Sequence, residues 1–198
     1  MASKSKPPRL ILLTGPPGVG KTTLVQKVCA ALKENHILTQ GFYTEEVRSG
    51  GRRTGFDVVT LSGNRGPLAR VSGGGQPQET QRHEPRVGQY SVKLQAFEQT
   101  ALPVLKFPNL AGEKPVMVID EIGKMEMFSG TFTQTVRTLI AREDATVLAT
   151  IPIAKGQPLP LVEELRTKKD AYVFTISKEN RNSILSEIAA AVQLSIKT

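Results

Sequence analysis

A short glycine-rich segment separates the first apolar run of the chain from an amphipathic one. Together they read LILLTGPPGVGKTTLVQK and span residues 10–27. A loop of small residues between a buried strand and a helix leaves backbone N–H groups exposed at the helix N-terminus. These N–H groups and the helix dipole attract anions. The segment therefore predicts a strand–loop–helix unit with an anion site in the loop.

The loop matches the pattern G-x-x-x-x-G-K-[ST] at residues 15–22. In that pattern the glycines let the backbone curl around a β-phosphate, Lys21 reaches the β- and γ-phosphates, and the Thr22 hydroxyl ligates Mg²⁺. Thr23 adds a hydroxyl near the α-phosphate or caps the helix. The residues predicted to bind nucleotide here are Gly15, Pro16, Pro17, Gly18, Val19, Gly20, Lys21, Thr22 and Thr23.

A second apolar run, PVMVID at residues 115–120, is followed directly by another carboxylate. Ligands bind at the carboxyl ends of strands in open α/β sheets. Asp120 is predicted to hold Mg²⁺ through its water shell, as a Walker B carboxylate does. Glu121 is predicted to deprotonate the water that attacks the γ-phosphate, which contributes about 10²–10⁴-fold to the rate. Water activation argues against a nucleotide kinase, and the plain alternative is a surface turn. The predicted binding segment comprises Val116, Met117, Val118, Ile119, Asp120, Glu121, Ile122 and Gly123.

Apolar runs of strand length alternate with segments of helical period along most of the chain. This alternation implies an α/β fold with a mainly parallel sheet covered by helices on both faces. The predicted strands are 9–14, 115–120, 146–151 and 171–177, and the predicted helices are 22–34, 95–106, 131–142, 161–168 and 181–193.

Residues 41–94 break that rhythm, because they are rich in glycine and β-branched residues with frequent turns. This composition predicts β-hairpins. We expect one domain over residues 1–198 with 41–94 as a β-rich insertion within it. The glycine run in 72–86 predicts a mobile loop.

Basic residues near the site would stabilise the charge that develops on the γ-phosphate. Arg48, Arg52 and Arg53 surround Gly50 and Gly51 in the segment VRSGGRRTG. A glycine-hinged hairpin tip of this kind predicts a lid over a bound triphosphate, and a solvated basic turn is the equal alternative. Lys124, just after the acidic pair, is a second candidate.

The nucleotide base is expected to meet the loop SKENRN at residues 177–182, through Asn180 and Arg181. The alternative is that Asn180 caps the last helix. His36 and His83 are isolated and show no metal-ligand spacing, which predicts structural or surface roles. The single cysteine, Cys29, falls on the first predicted helix and is expected in the core.

The charge and composition of the chain indicate which classes of ligand and partner to expect. The net charge is +8 and the sequence pI is about 9.7, which favours polyanionic ligands. Nucleic acid is a possible partner that no motif indicates, since aromatic residues make up only 5% of the chain. No apolar run approaches the ~20 residues of a membrane span, and the first residues lack the apolar centre of a secretory signal. An intracellular, cytoplasmic monomer is expected.

Several longer segments, besides the glycine-rich loop, resemble the Thep-type nucleoside-triphosphatase family. They include GFYTEEVRSGGRRTGFDVVTLSG, VIDEIGKMEMF, TIPIAKGQPLPLVEELR and TKKDAYVFTISKENRN. The resemblance spans nearly the whole chain from Leu10 onward, except residues 72–86. It implies a P-loop NTPase fold, Mg²⁺ dependence and slow hydrolysis of nucleoside triphosphates such as ATP and GTP, with broad base tolerance. The phosphate loop and the acidic pair show no departure from the family.

Two other functions stay open at this point. The segment DEIG fits the D-x-x-G pattern of a GTPase-like switch, but SKEN lacks the aspartate of a guanine-reading N-K-x-D motif. The basic charge fits an RNA-associated, NTP-dependent protein. Stimulation of hydrolysis by nucleic acid or by a protein partner would separate these from an enzyme that acts on free nucleotides.

Overall fold

The computed structural model describes residues 7–72, 84–108, 114–154 and 156–196. Strands and helices alternate along the described chain. A short 3₁₀ helix, Glu126–Phe128, follows β7. The elements are β1 (Leu10–Thr14), α1 (Lys21–Glu34), β2 (Thr39–Ser49), β3 (Arg52–Thr60), β4 (Arg65–Val71), β5 (Arg86–Val87), β6 (Tyr90–Val92), α2 (Leu94–Val104), β7 (Val116–Ile119), α3 (Gly130–Ala141), β8 (Thr146–Ile151), α4 (Pro160–Thr167), β9 (Ala171–Thr175) and α5 (Leu185–Ile196).

Within the described residues, the strands form one nine-stranded sheet in the order β5-β6-β4-β3-β2-β7-β8-β1-β9. The neighbours from β2 to β9 in that order are parallel. The remaining strands extend the sheet with antiparallel pairs. The predicted α/β fold with a largely parallel sheet is confirmed.

Strand β2 joins the parallel and antiparallel parts of the sheet. Its first residues, from Thr39 to Phe42, pair with β7 in parallel. From Phe42 onward it pairs with β3 as an antiparallel hairpin. The sequence prediction therefore missed a parallel strand at residues 39–42. These residues, TQGF, do not form the continuous apolar run by which the other parallel strands were recognised. The hairpins predicted for 41–94 continue the main sheet.

Helices cover both faces of the sheet, as predicted. One core contains buried residues of α1 and α5, and the other contains buried residues of α2, α3 and α4. Strand β1 supplies both cores, since Leu12 packs on one face and Ile11 on the other, each fully buried. Burial on both faces explains why these strands are continuous apolar runs.

Most predicted boundaries agree within two residues, but the last helix differs. It begins at Leu185 and not at residue 181, because residues 178–184 form consecutive turns. Cys29 is buried in the core as predicted, and His36 lies exposed at the surface. His83 and most of the predicted loop 72–86 lie outside the described residues. No helix in the described ranges is both long and apolar enough to cross a membrane.

Candidate active site

The loops at the carboxyl ends of three adjacent parallel strands meet at one cavity. The phosphate loop follows β1, the acidic pair follows β7, and Pro152 follows β8, which lies between them. The cavity has a volume of about 670 Å³. The hairpin of β2 and β3 forms its far wall through residues that include Thr44, Arg53 and Phe56.

The phosphate loop turns tightly at its glycines. A Cβ on Gly15 would lie 2.5 Å from the carbonyl oxygen of Ile176, so only glycine fits there. Gly20 has a φ of +106°, which disfavours other residues, and it precedes the first residue of α1. Helix α1 has no side-chain N-cap and no acidic residue in its first turn. Its first N–H groups therefore remain available to an anion.

Lys21 is held against the loop that it is expected to serve. Its side chain is 9% exposed, and Nζ donates to the carbonyl oxygens of Gly15 at 2.9 Å and Pro16 at 3.3 Å. Thr22 and Thr23 line the cavity beside it. Two predicted contact residues differ: Pro16 and Val19 do not line the cavity, because Val19 packs in the core and Pro16 accepts its N–H.

Asp120 is buried behind the cavity with one oxygen unused. The residue is 1% exposed, and Oδ1 accepts a hydrogen bond from the Thr150 hydroxyl. Among the described residues, Oδ2 has no hydrogen-bond partner. Burial raises the pKa of Asp120, while the hydroxyls of Thr150 and Thr22 and the charge of Lys21 lower it. An unpaired buried carboxylate oxygen is costly unless a cation satisfies it.

These residues fit a hydrated Mg²⁺ that arrives with a nucleotide. Mg²⁺ keeps several waters and is bound through one or two carboxylates and the substrate phosphates. Asp120 with its unused oxygen and the Thr22 hydroxyl provide such a partial set. In the described ranges, no cluster of three or more His, Cys, Asp or Glu side chains could hold a metal alone. Asp120 and Thr22 are thus two donors, and a role for them in metal binding stays a prediction.

Glu121 is partly buried at the cavity wall. Its Oε2 lies 4.0 Å from Lys21 Nζ, and its side chain is 33% exposed. Burial raises the pKa of Glu121, the charge of Lys21 lowers it, and the charge of Asp120 raises it. A raised pKa makes a carboxylate a stronger base near neutral pH. Glu121 lines the cavity, and its role as the base stays a prediction.

Glu126 also lines the cavity, and the sequence analysis assigned it no role. It is 5% exposed, in the 3₁₀ helix, and its Oε2 accepts the N–H of Gly123 at 3.1 Å. Burial, and then the charge of Glu121, raise the pKa of Glu126 to about 8. A signal was available, since this glutamate stands between Met125 and Met127 in an apolar stretch. Thr150 was also missed, and no local signal marks it, because it stands within the apolar strand β8.

The raised pKa of Glu126 predicts a pH-dependent stability. The folded protein binds this proton more tightly than the unfolded chain, whose glutamate has a pKa of 4.5. The contribution of Glu126 to the free energy of unfolding should therefore fall as the pH rises from about 4.5 to about 8, by about 1.4 kcal/mol per pH unit. Glu126→Gln cannot titrate, so its melting temperature relative to wild type should rise across this range. Thermal denaturation at several pH values measures this, and a constant difference would contradict it.

The three arginines of the hairpin take different positions relative to the cavity. Arg53 lines the cavity, where its guanidinium donates to Tyr90 Oη at 2.9 Å and Glu46 Oε1 at 2.8 Å. Arg48 is paired with the same Glu46 at 2.7 Å and does not line the cavity. Arg52 is exposed at the hairpin tip. Lys124, the second candidate, does line the cavity.

Two groups of predicted contact residues lie away from the cavity. The side chains of β7 are fully buried in the two cores and do not line the cavity, so a contact of this strand with a nucleotide stays a prediction. Ile122 is also fully buried, and Gly123 lies under the carboxylates described above. The residues of this strand that were predicted to bind nucleotide and do not line the cavity are Val116, Met117, Val118 and Ile119.

The predicted base loop is closed by its own side chains. Asn180 Oδ1 accepts the Ser177 N–H at 2.8 Å, and Nδ2 donates to the Thr175 carbonyl at 2.8 Å. Arg181 Nη1 donates to the Val19 carbonyl at 3.3 Å, which connects this loop to the phosphate loop. Asn180 does not cap the last helix, which begins five residues later. A contact with a base stays a prediction.

Comparisons with known proteins show the family to which the chain belongs. A family model described as NTPase matches residues 10–189. A cancer-related nucleoside-triphosphatase homolog from Bos taurus is 56% identical over 191 residues, which cover 96% of this chain and 99% of that protein. The solution structure of a human cancer-related nucleoside triphosphatase superposes with a TM-score of 0.81 at 56% identity, covering 93% of this chain and 97% of that one. The crystal structure of THEP1 from Aquifex aeolicus gives 0.77 at 38% identity, covering 92% and 98%. The chain belongs to the NTPase family and is a hydrolase that acts on nucleoside triphosphates.

Proposed function

We propose that this enzyme is an Mg²⁺-dependent nucleoside triphosphatase that hydrolyses the γ-phosphate of ATP, GTP and other nucleoside triphosphates slowly and with broad base specificity. NTPases of this family generally use a divalent metal ion. The observation that carries the proposal is the arrangement of Glu121 Oε2, 4.0 Å from Lys21 Nζ, next to a buried Asp120 with an unpaired oxygen. This arrangement supports phosphate binding, metal binding and proton removal in and beside one cavity.

Hydrolysis in this site needs three actions of the protein. Lys21 leaves the loop carbonyls and donates to the β- and γ-phosphate oxygens. Asp120 and Thr22 would hold Mg²⁺, which would supply positive charge to the triphosphate. Glu121 accepts a proton from a water molecule, whose oxygen bonds to the γ-phosphorus as the bond to the β–γ bridging oxygen breaks. The products are a nucleoside diphosphate and phosphate.

Two features support slow turnover and broad specificity. Arg53, the cavity-lining arginine of the hairpin, is already engaged by Glu46 and Tyr90, so it is not free to stabilise the transition state without leaving them. The base loop lacks the aspartate of a guanine-reading motif, and Asn180 uses its amide to close the loop. Without a dedicated polar contact, bases bind with little discrimination.

The experiment that tests the function is phosphate release from a panel of nucleoside triphosphates, diphosphates and monophosphates. We expect hydrolysis of all the triphosphates, its loss in excess chelator and its recovery with added Mg²⁺. Addition of RNA should leave the rate unchanged. Strong preference for GTP would favour the GTPase-like switch, and stimulation by RNA would favour the RNA-associated protein.

Asp120→Asn should raise the Mg²⁺ concentration needed for half-maximal activity by about tenfold or more. The reason is that a neutral amide replaces the buried oxygen that we assign to the hydrated metal, at a cost of about 1.4 kcal/mol or more. A titration of activity against Mg²⁺ for both proteins measures it. An unchanged Mg²⁺ requirement would remove Asp120 from the metal site.

Arg53→Ala should lower kcat by about tenfold while the nucleotide affinity changes little. This pattern marks a contact made mainly in the transition state, for which Arg53 has to leave Glu46 and Tyr90. Arg48→Ala and Arg52→Ala are the matched controls, since neither lines the cavity. Single-turnover hydrolysis and nucleotide titration separate the two effects. If all three variants turn over normally, the hairpin is a solvated turn.

The enzyme is proposed to be a cytoplasmic monomer. The single cysteine is consistent with a reducing compartment, since the chain cannot form an internal disulfide. Sedimentation equilibrium measures the oligomeric state, and fractionation of the source cell locates the protein.

A further inference from the structure

Glu126 is a buried carboxyl group at the cavity that the proposed hydrolysis does not use. Its residue is 5% exposed, and its Oε2 accepts the Gly123 N–H at 3.1 Å. Burial of a carboxyl group costs free energy unless hydrogen bonds compensate for the lost water, so the contacts of Glu126 bear on its role. These contacts lead to the segment that carries Glu121.

Gly123 lies between the two glutamates. A Cβ built on this glycine would lie 2.7 Å from Glu121 Oε1 and 3.0 Å from Glu126 Oε2. The two carboxyl groups therefore lie over the same face of the Gly123 backbone, and they occupy the space that any side chain there would need. The packing leaves little freedom for Glu121 to turn toward this side.

The segment around Gly123 is fixed from both directions. Ile122 N–H donates to the Thr150 carbonyl at 2.9 Å, and Met127 N–H donates to the Gly123 carbonyl at 3.1 Å. The Glu126 carbonyl in turn accepts the Ser129 N–H at 3.0 Å. Glu126 is thus held through both its carboxyl group and its backbone carbonyl, and both Glu121 and Glu126 line the cavity. Removal of the Glu126 carboxyl would free the Gly123 N–H and open a gap beside Glu121.

We propose that Glu126 is a positioning residue, which holds the Gly123 backbone and thereby fixes the orientation of the Glu121 carboxylate toward the attacking water. This inference rests on the proposed role of Glu121 as the base. A misplacement of about 1 Å in a catalytic group can cost about 10²-fold in rate. The effect of losing Glu126 should therefore fall on turnover and spare nucleotide binding.

The test compares Glu126→Ala with Glu126→Gln in the full chain. Glu126→Ala should lower single-turnover hydrolysis of Mg-ATP by about tenfold or more, with the dissociation constant within about threefold of wild type. Glu126→Gln keeps an oxygen that accepts the Gly123 N–H and fills the same volume, so hydrolysis should stay within about threefold of wild type. A loss of fold alone would not give this pattern of rescue.

Gly123→Ala is a second variant that does not depend on Glu126→Ala folding. The backbone of Gly123 has no positive φ, so alanine is accommodated there once the carboxyl groups move. We expect a decrease of about tenfold in hydrolysis with binding preserved. Normal hydrolysis by Gly123→Ala would contradict the proposal.

Three other results would overturn it. Full activity of Glu126→Ala would show that Glu121 is oriented without it. Equal loss in Glu126→Gln would assign the effect to the proton or charge. A raised Mg²⁺ requirement would make Glu126 part of the metal site.

Glu121→Gln is measured in parallel. If this variant alone is slow, only the role of Glu126 fails. If it is fully active, the proposed function fails first.

Discussion

Glu121→Gln should bind Mg-ATP and hydrolyse it about 10²-fold or more slowly than wild type. The change keeps the size and shape of the side chain but removes the group that accepts the proton from the attacking water. Lys21 still contacts the phosphates, and Asp120 and Thr22 still hold the metal. Because Lys21 Nζ lies 4.0 Å from the Glu121 carboxylate, removal of that charge should leave the nucleotide affinity unchanged or slightly higher.

The bound triphosphate should then accumulate on the Glu121→Gln variant. At a nucleotide concentration 100 times the dissociation constant, binding stabilises the folded state by about 2.7 kcal/mol, which raises the melting temperature. Single-turnover hydrolysis and thermal shift with Mg-ATP measure both effects. Glu187→Gln, an exposed substitution on α5, is the control for the loss of one carboxylate. Hydrolysis within threefold of wild type would mean that the water is activated elsewhere.

The parts of the fold and site that could be predicted are those with a local signal. The phosphate loop is one example, because its glycines and Lys21 must occur in fixed order between a strand and a helix. Asp120 and Glu121 are another, since they directly follow an apolar run. In both cases residues that are neighbours in sequence are also neighbours in space. The two patterns therefore led to Lys21 and Glu121, which line the same cavity.

The parts that sequence could not predict depend on contacts between distant segments. Thr150 donates to Asp120 from strand β8, and no local pattern marks a threonine within a buried strand. The choice among the arginines depends on Tyr90, thirty-seven positions from Arg53, which holds that one arginine at the cavity. The parallel pairing of residues 39–42 was hidden because Gly41 lies where a Cβ would meet the Val118 carbonyl at 1.9 Å.

Burial of β7 and the hydrogen bonds of Asn180 account for two further differences between the structure and the expectations from sequence. The apolar residues of β7 were predicted to contact nucleotide because they precede the acidic pair, but a strand in the middle of a covered sheet turns its side chains into the two cores. Asn180 was a plausible helix cap by residue type. Its amide closes the preceding loop instead, and the turns after it delay the helix until Leu185.

Lys21→Ala should nearly abolish both nucleotide binding and turnover. Lys21 is the buried cation of the loop, and its Nζ already lies within 3.3 Å of two loop carbonyls at the place where phosphates are expected. Hydrogen bonds from a charged donor contribute about 1.5–3 kcal/mol each, so the loss should weaken Mg-ATP binding by about 10²-fold. Turnover should fall further, because the same charge acts on the γ-phosphate as the bond breaks.

The fold should survive this substitution, because the loop backbone and its free N–H groups remain. Loss of the lysine charge also removes a cause that lowers the pKa of Glu121, so this pKa should rise further. Lys27→Ala, an exposed lysine on the same helix, is the matched control and should behave as wild type. Titration with Mg-ATP and phosphate release measure both proteins, with circular dichroism to verify the fold. Hydrolysis by Lys21→Ala at the wild-type rate would mean that the loop does not hold the phosphates, and the site would have to lie elsewhere.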